Sequence, residues 1–238
     1  MNYYTHFTVL FFFIISSLAH SQKNLNYQQP RKEILDLVNV DRAPSVLKDD
    51  KNHYMVFVYR PEYKSIGELS QKEMRLGGLR VNPYLNIGSR TTYYNKVKIL
   101  GLKKGDKVPI EVKGLPENPK LSNFVYSPDQ SKIAMINTSS DRLELWVLDI
   151  KKALATKINT PSLNATLGSV INWFSDNKNL LIKIRPEKSN IIIEQEKSIP
   201  KGPTITENMG EKAQNRTYQD LLKNITDENN FEQLSKST

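Results

Sequence analysis

Hydrolysis by an activated serine needs a nucleophile elbow, Gly-x-Ser-x-Gly, which holds the serine in a strained strand-to-helix turn, and a histidine base to take its proton. No such string occurs in the 238 residues. Gly88-Ser89 and Gly168-Ser169 put a serine after a glycine but lack the rest of the spacing. Of three histidines, His6 and His20 lie in an apolar leader, leaving His53 at the start of an expected strand. There a packing or surface role is the default. One such histidine and no cysteine cannot furnish an ordinary zinc site. The lack of cysteine also excludes disulfides, thiolate metal sites and a cysteine nucleophile. Glycine-rich phosphate loops are absent. Asp49, Asp50, Asp129 and Asp176 fall in turn sequences and read as turn formers. The expectation is a chain with no catalytic, cofactor-binding or metal-binding residues, inactive by itself.

The elements that would position any chemistry are strands. Leu121 to Ile150 reads as strand, turn, strand, turn, strand. Phe124-Val125-Tyr126 is apolar. Ser127-Pro128-Asp129-Gln130-Ser131 breaks the run, because Pro128 fixes φ and Asp129 can form an Asx turn. Lys132 to Ile136 resumes it, and Leu143 to Ile150 nearly alternates apolar with polar. The motif returns at Ile171-Asn172-Trp173-Phe174-Ser175-Asp176, then Leu180-Leu181. Tyr126 maps to Trp173, Asp129 to Asp176 and Ile133 to Leu180, all at a spacing of 47 residues. Short strands repeating at roughly 40–50 residues are the signature of β-propeller blades. A weaker copy lies at Leu47 to Val56. The fold expected is mainly β: a partial, open propeller of two to three blades, with a short helical insertion and a C-terminal helix. Two unrelated hairpins sharing turn residues are the plainer alternative.

Phe7 to Leu18 carries no charge over a dozen residues. It is too short to span a bilayer and suits the core of a secretory signal. Cleavage is expected after Ser21 in Ala19-His20-Ser21, although residues 2–6 hold no Lys or Arg. Residues 1–21 are thus read as a signal peptide, and the chain as exported to a periplasm or the exterior with no stable membrane anchor after cleavage. The net charge of +9 could signal an anionic partner. With lysines scattered over turns and strand ends, a solvated basic surface is the reading, and no nucleic-acid partner is expected.

Residues 22–199 are assigned to the blades. Glu33 to Val40 is a short helix or a docking strand, Tyr54 to Tyr59 a strand, and about 65–80 the helical insertion. There Ser70-Gln71-Lys72-Glu73 fits a capping box, Glu73 to Leu76 a helix, and Gly77-Gly78 its stop. Thr91 to Leu100 is read as a strand, Lys103 to Lys107 as a hairpin turn and Val108 to Val112 as its return. Leu180 to Ile184 and Ile191 to Glu194 continue the strands. Residues 200–238 are a linker and an amphipathic helix, capped by Thr217 and carrying Tyr218, Leu221, Leu222 and Ile225. Asn137, Asn164, Asn215 and Asn224 open Asn-x-Ser/Thr triplets, relevant where the host glycosylates exported proteins.

Arg42-Ala43-Pro44-Ser45, Leu79 to Pro83, Asn86 to Tyr94, Gly114 to Pro119 and Gln214 to Leu222 together resemble the N-terminal part of exported serine peptidases of the prolyl oligopeptidase family. The glutamyl-endopeptidase and acylaminoacyl-peptidase-like members are the nearest group. The resemblance covers nearly all of residues 27–234. It implies a propeller that gates and positions peptide substrates over an α/β-hydrolase domain bearing a Ser-Asp-His triad. No triad residue carries over, since no triad motif matches. Two or three blades do not close a ring, so the chain is expected to be truncated before its catalytic domain. Peptides would then be its partners only through the full-length enzyme. The alternatives are a stand-alone exported binding module and a basic anion-binding surface protein.

Overall fold

In the computed structural model, the described residues are 29–38, 42–102, 108–187, 210 and 221–238. Contacts divide the chain into two compact units, Met1–Val40 and Asp41–Thr238. Within the first, helix α1 spans Lys32–Val38 and buries none of its residues. Of the two readings for Glu33 to Val40, the helix is realised. The expected signal at 1–21, the turn at 103–107 and the strand at 191–194 lie outside the described residues.

The second unit is mainly β. Its first sheet joins β1 (Ser45–Lys48), β2 (Tyr54–Tyr59), β6 (Lys96–Gly101) and β7 (Ile110–Glu111), in that order. Another joins β8 (Leu121–Tyr126), β9 (Lys132–Thr138), β10 (Leu143–Asp149) and β11 (Leu154–Ile158) as an antiparallel meander. The second copy of the motif forms hairpin β12 (Ile171–Trp173) and β13 (Leu180–Ile182). Between β2 and β6 the chain makes helix α2 (Ile66–Leu69) and a three-stranded insertion sheet of β3 (Met74–Leu76), β4 (Leu79–Asn82) and β5 (Ile87–Gly88). Helix α3 spans Ile225–Ser235.

The first sheet, the meander and the β12–β13 hairpin stack in sequence order. One core sets Val56, Val58, Val97 and Ile99 of the first sheet against Leu121, Ile133, Met135 and Leu148 of the meander. A second sets Ala134, Ile136, Leu143 and Leu145 of the meander against Ile171, with Val125, Trp173, Leu180 and Ile182 packed around it. Each fully buried Leu or Ile contributes about 1.5–3 kcal/mol, so these two faces dominate the energetics. The repeat therefore packs head to tail. Tyr126 joins the core facing the first sheet. Trp173, its counterpart, faces the meander and donates its Nε1–H to Val125 O at 3.0 Å.

Four local readings differ from the sequence expectation. Glu73 to Leu76 is not a helix. Gly77 and Gly78 have φ of +56° and +82°, and both lie between the paired Leu76 and Leu79. Two successive positive φ angles make a type I′ hairpin turn, whose twist suits strands rather than a helix end. The capping box is also one turn earlier, at Ser65 and Glu68, starting α2. Thr91 to Tyr93 is not strand; Tyr94 makes an isolated bridge to Leu121, and β6 begins at Lys96. At the C-terminus Thr217 and Tyr218 lie outside the described residues, while Leu221 and Leu222 precede the helix, which starts after an Asn224 cap that accepts from Asp227 N–H at 2.9 Å.

Candidate functional site

The turns that carry the carboxylates Asp49, Asp50, Asp129 and Asp176 are linked one to the next. Asp49 is buried and accepts N–H bonds from His53 and Tyr54 at 2.7 and 2.8 Å. Burial pushes its carboxyl up, but these two N–H groups and the nearby His53 outweigh that and hold it below the usual carboxylate range. His53 Nδ1 stands 3.9 Å from Asp49 Oδ2. This is a histidine–carboxylate pair, but the carboxylate is engaged in closing its own turn. Asp129 and Asp176 do the same, accepting from Ser131 N–H at 3.1 Å and from Lys178 and Asn179 N–H at 2.9 Å each.

The repeat extends to backbone conformation. Gln130 and Asn177, 47 residues apart, both adopt positive φ, +62° and +59°. Their side chains then bridge successive turns. Asp50 N–H donates to Gln130 Oε1 at 2.7 Å, and Asp129 N–H donates to Asn177 Oδ1 at 2.7 Å. The Asp49–Asp50 turn stands near Tyr126. Burial first, then these two carboxylates, push the Tyr126 hydroxyl up to about 12, so it stays protonated at neutral pH.

Beside the hairpin lies a groove of about 400 Å³, lined among others by Lys132, Leu145, Val147, Trp173, Leu180 and Ile182. Its polar lining residues are Lys132, Thr160, Lys178 and Asn179, and Lys132 Nζ donates to Asn177 O at 3.3 Å.

The insertion sheet carries a denser charged cluster. Glu73 receives Arg75 Nε at 3.0 Å, Arg80 Nη1 at 3.5 Å and the Ser89 hydroxyl at 2.5 Å. The Ser89 bond first, against burial, and then Arg75 and Arg80 hold the Glu73 carboxyl below its ordinary range. Ser89, one of the two serines that follow a glycine, is therefore bonded to a carboxylate, not to a base. Ser169, the other, is exposed. Sequence reasoning missed this cluster because it took β3 for a helix, which separates Arg75 from Arg80. The Gly77-Gly78 pair was the available signal. Among the described residues no group of three or more His, Cys, Asp or Glu converges on a metal position.

Two of the glycosylation triplets are closed off. Asn137 and Asn164 are 4% and 1% exposed. Asn164 donates to Leu234 O at 2.9 Å and to Lys236 O at 2.8 Å. Asn224 is a helix cap, and Asn215 lies outside the described residues.

No family model matches the chain. Among curated proteins, it is 28% identical over 229 residues to a probable chloroplastic glutamyl endopeptidase of Oryza sativa subsp. japonica. It is also 28% identical over 224 residues to the protein of that name in Arabidopsis thaliana. The matches cover 91% and 89% of this chain. The chain is similar to two proteins named as glutamyl endopeptidases. The resemblance drawn from the sequence strings thus holds over nearly the whole chain. It spans about a quarter of the length of these relatives, 24% and 23%. Among solved structures it is similar to the Pyrococcus horikoshii acylaminoacyl peptidase, with 19% identity, a TM-score of 0.35, and coverage of 67% of this chain and 20% of that one. A Bacteroides ovatus protein described as a dipeptidyl aminopeptidase IV gives 12% identity, the same TM-score, and coverage of 59% and 20%. The relatives' names are those of targeted proteins, and no described helix is long and apolar enough to cross a membrane.

Proposed function

We propose that this glutamyl-endopeptidase relative is the non-catalytic, N-terminal propeller part of an exported serine peptidase. It gates and positions peptide substrates for an α/β-hydrolase domain that its own residues do not supply. The observation that carries the reading is the relation to glutamyl endopeptidases across about nine-tenths of the chain. The head-to-tail stacking of sheets at a 47-residue spacing supports it, since such stacking is how blades bury their faces. On this reading the first sheet, the meander and the β12–β13 hairpin are successive blades of an open array, and residues 1–21 direct export. The groove and the insertion sheet are the surfaces that peptides meet.

The purified chain, incubated with chromogenic peptides cleaved after glutamate, should show no turnover above background. Turnover that His53→Ala abolishes would overturn the proposal, because it would give the His53–Asp49 pair a catalytic role.

A further inference from the structure

Three turns of the molecule are built alike. In each, an N–H closes on the carbonyl three residues back: Asn52 on Asp49, Gln130 on Ser127 and Asn177 on Phe174, at 3.0, 2.8 and 3.3 Å. The donating residue has positive φ every time, +53°, +62° and +59°, and is an asparagine or a glutamine. The opening residues of the first two turns match as well. The Asp49 and Ser127 side chains each accept the N–H five residues on, from Tyr54 and Lys132, at 2.8 and 3.0 Å. Asn52, Gln130 and Asn177 therefore hold one structural position in three successive sheets.

Two of these amides are used in the same way, and both point back along the stack. Gln130 of the meander accepts from Asp50 N–H in the turn of the first sheet. Asn177 of the hairpin accepts from Asp129 N–H in the turn of the meander. The donor falls one place later in the second case because Pro128, at the place of Asp50, has no N–H. Turn bond and apolar stacking thus form one kind of interface, present twice.

Each end of the stack holds half of a third. Asn52 is exposed and its amide makes no bond among the described residues. Ser175 and Asp176, exposed at the places of the earlier donors, have N–H groups with no acceptor among the described residues. The faces beside these turns are partly apolar. On the first sheet Val46, 48% exposed, pairs with Phe57, and Met55 pairs with Leu100. Alternation turns these four away from the core residues Val56, Val58 and Ile99. On the hairpin Leu181, 59% exposed, alternates with Leu180 and Ile182, which pack on the meander.

We propose that a second copy of this chain docks head to tail. Its first sheet stacks on the outer face of the β12–β13 hairpin, and its Asn52 amide accepts from the N–H groups of the Ser175–Asp176 turn. The contact continues the interface that already joins sheet to sheet within one molecule. It rests on turn geometry and stacking, and is independent of the peptide-handling reading. It is heterologous, so each copy keeps one free end. Chains of charge +9 repel one another, and salt screens that repulsion, so moderate salt strengthens the association where ionic docking would weaken.

The test is sedimentation equilibrium of the 238-residue chain over a concentration series at low and moderate salt. The mean mass should climb with concentration without levelling at a dimer, and climb further at moderate salt. Asn52→Gly keeps the positive φ and deletes the amide. It should weaken association about fivefold, the weight of one hydrogen bond, at an unchanged thermal melt. Asn52→Gln, which places at 52 the residue found at 130, should keep it. The chain has no cysteine, so Asn52→Cys and Ser175→Cys each add a single handle. Mixed under oxidation, the two variants should cross-link to each other faster than either does to itself. A chain that stays monomeric throughout the series would overturn the proposal. Association indifferent to Asn52→Gly would overturn it as unspecific clustering of apolar faces. Self-cross-linking of Asn52→Cys as fast as the mixed reaction would overturn it in favour of a face-to-face dimer.

Discussion

Asn164→Ala should release the C-terminal helix without unfolding the sheets. Asn164 is 1% exposed, donates to two carbonyls, Leu234 O and Lys236 O, and accepts from Thr166 N–H at 3.1 Å. Three bonds at about 1 kcal/mol net each would give a loss near 3 kcal/mol. Asn86, however, also donates to Leu234 O at 3.3 Å, so that carbonyl keeps a partner. The expected cost is therefore about 2 kcal/mol, which is roughly 30-fold in the opening equilibrium. Hydrogen exchange read by mass spectrometry should locate it. Amides of α3 and of the insertion sheet should lose about that much protection, while the meander keeps its own. Asn164→Asp sharpens the test. It turns the donor into a carboxylate oxygen facing two carbonyls at 2.8 and 2.9 Å. Repulsion and burial must raise that carboxyl's folded pKa above its unfolded value. A raised pKa means stability present at low pH is lost as pH rises through the folded value, so the Asp variant should be worse than Ala at pH 7 and recover on acidification. An Ala variant with unchanged exchange, or an Asp variant equal to wild type at pH 7, would refute the claim that these bonds hold the helix.

Acid should weaken the fold through two of its carboxylates, one in a turn and one on a strand. Asp49 and Glu144 both have carboxyls held below their usual range. Burial pushes each up, and is outweighed by N–H groups of Tyr54 and His53 for Asp49, and by Lys157, Asn137 and Trp146 for Glu144. A depressed folded pKa gives stability that is present above the unfolded value, about 4, and lost as pH falls through the folded one. Urea midpoints should thus decline below about pH 4, and Asp49→Asn should flatten that decline; an unchanged slope would count against the turn role. Glycine substitutions should separate by space. Gly114→Ala would put a Cβ 2.3 Å from Ala155 O at a φ of +81°, whereas Gly78→Ala, at +82°, meets nothing within 4 Å. Thermal melts should show Gly78→Ala costing about 1–2 kcal/mol for the left-handed backbone alone, and Gly114→Ala distinctly more.

Much of the repeated strand–turn–strand architecture was legible in single residues. Tyr126, Asp129 and Ile133 predicted their counterparts at 173, 176 and 180, and the hairpins stand where the spacing put them. Strand alternation and Asx turns are local properties, written in neighbouring side chains. The insertion and the C-terminus were less legible. Capping-box patterns occur at both Ser65 and Ser70, and the sequence offers no reason to choose; the choice fell to Ser65 because the segment after it pairs as β3 and β4. Strand β11, Leu154–Ile158, buries only Ala155 of its five residues, so it carries little apolar pattern.

The strand–turn–strand unit and the lack of a nucleophile elbow were properties of the sequence itself, since each depends on residues within a few positions of one another, and the period is the constant spacing between two such units. The asparagines clasping α3 and the linked turns at Asp50, Gln130 and Asn177 came only with the tertiary structure. Their partners lie up to 148 residues apart, and at such separation a contact depends on how the sheets stack and not on any local pattern.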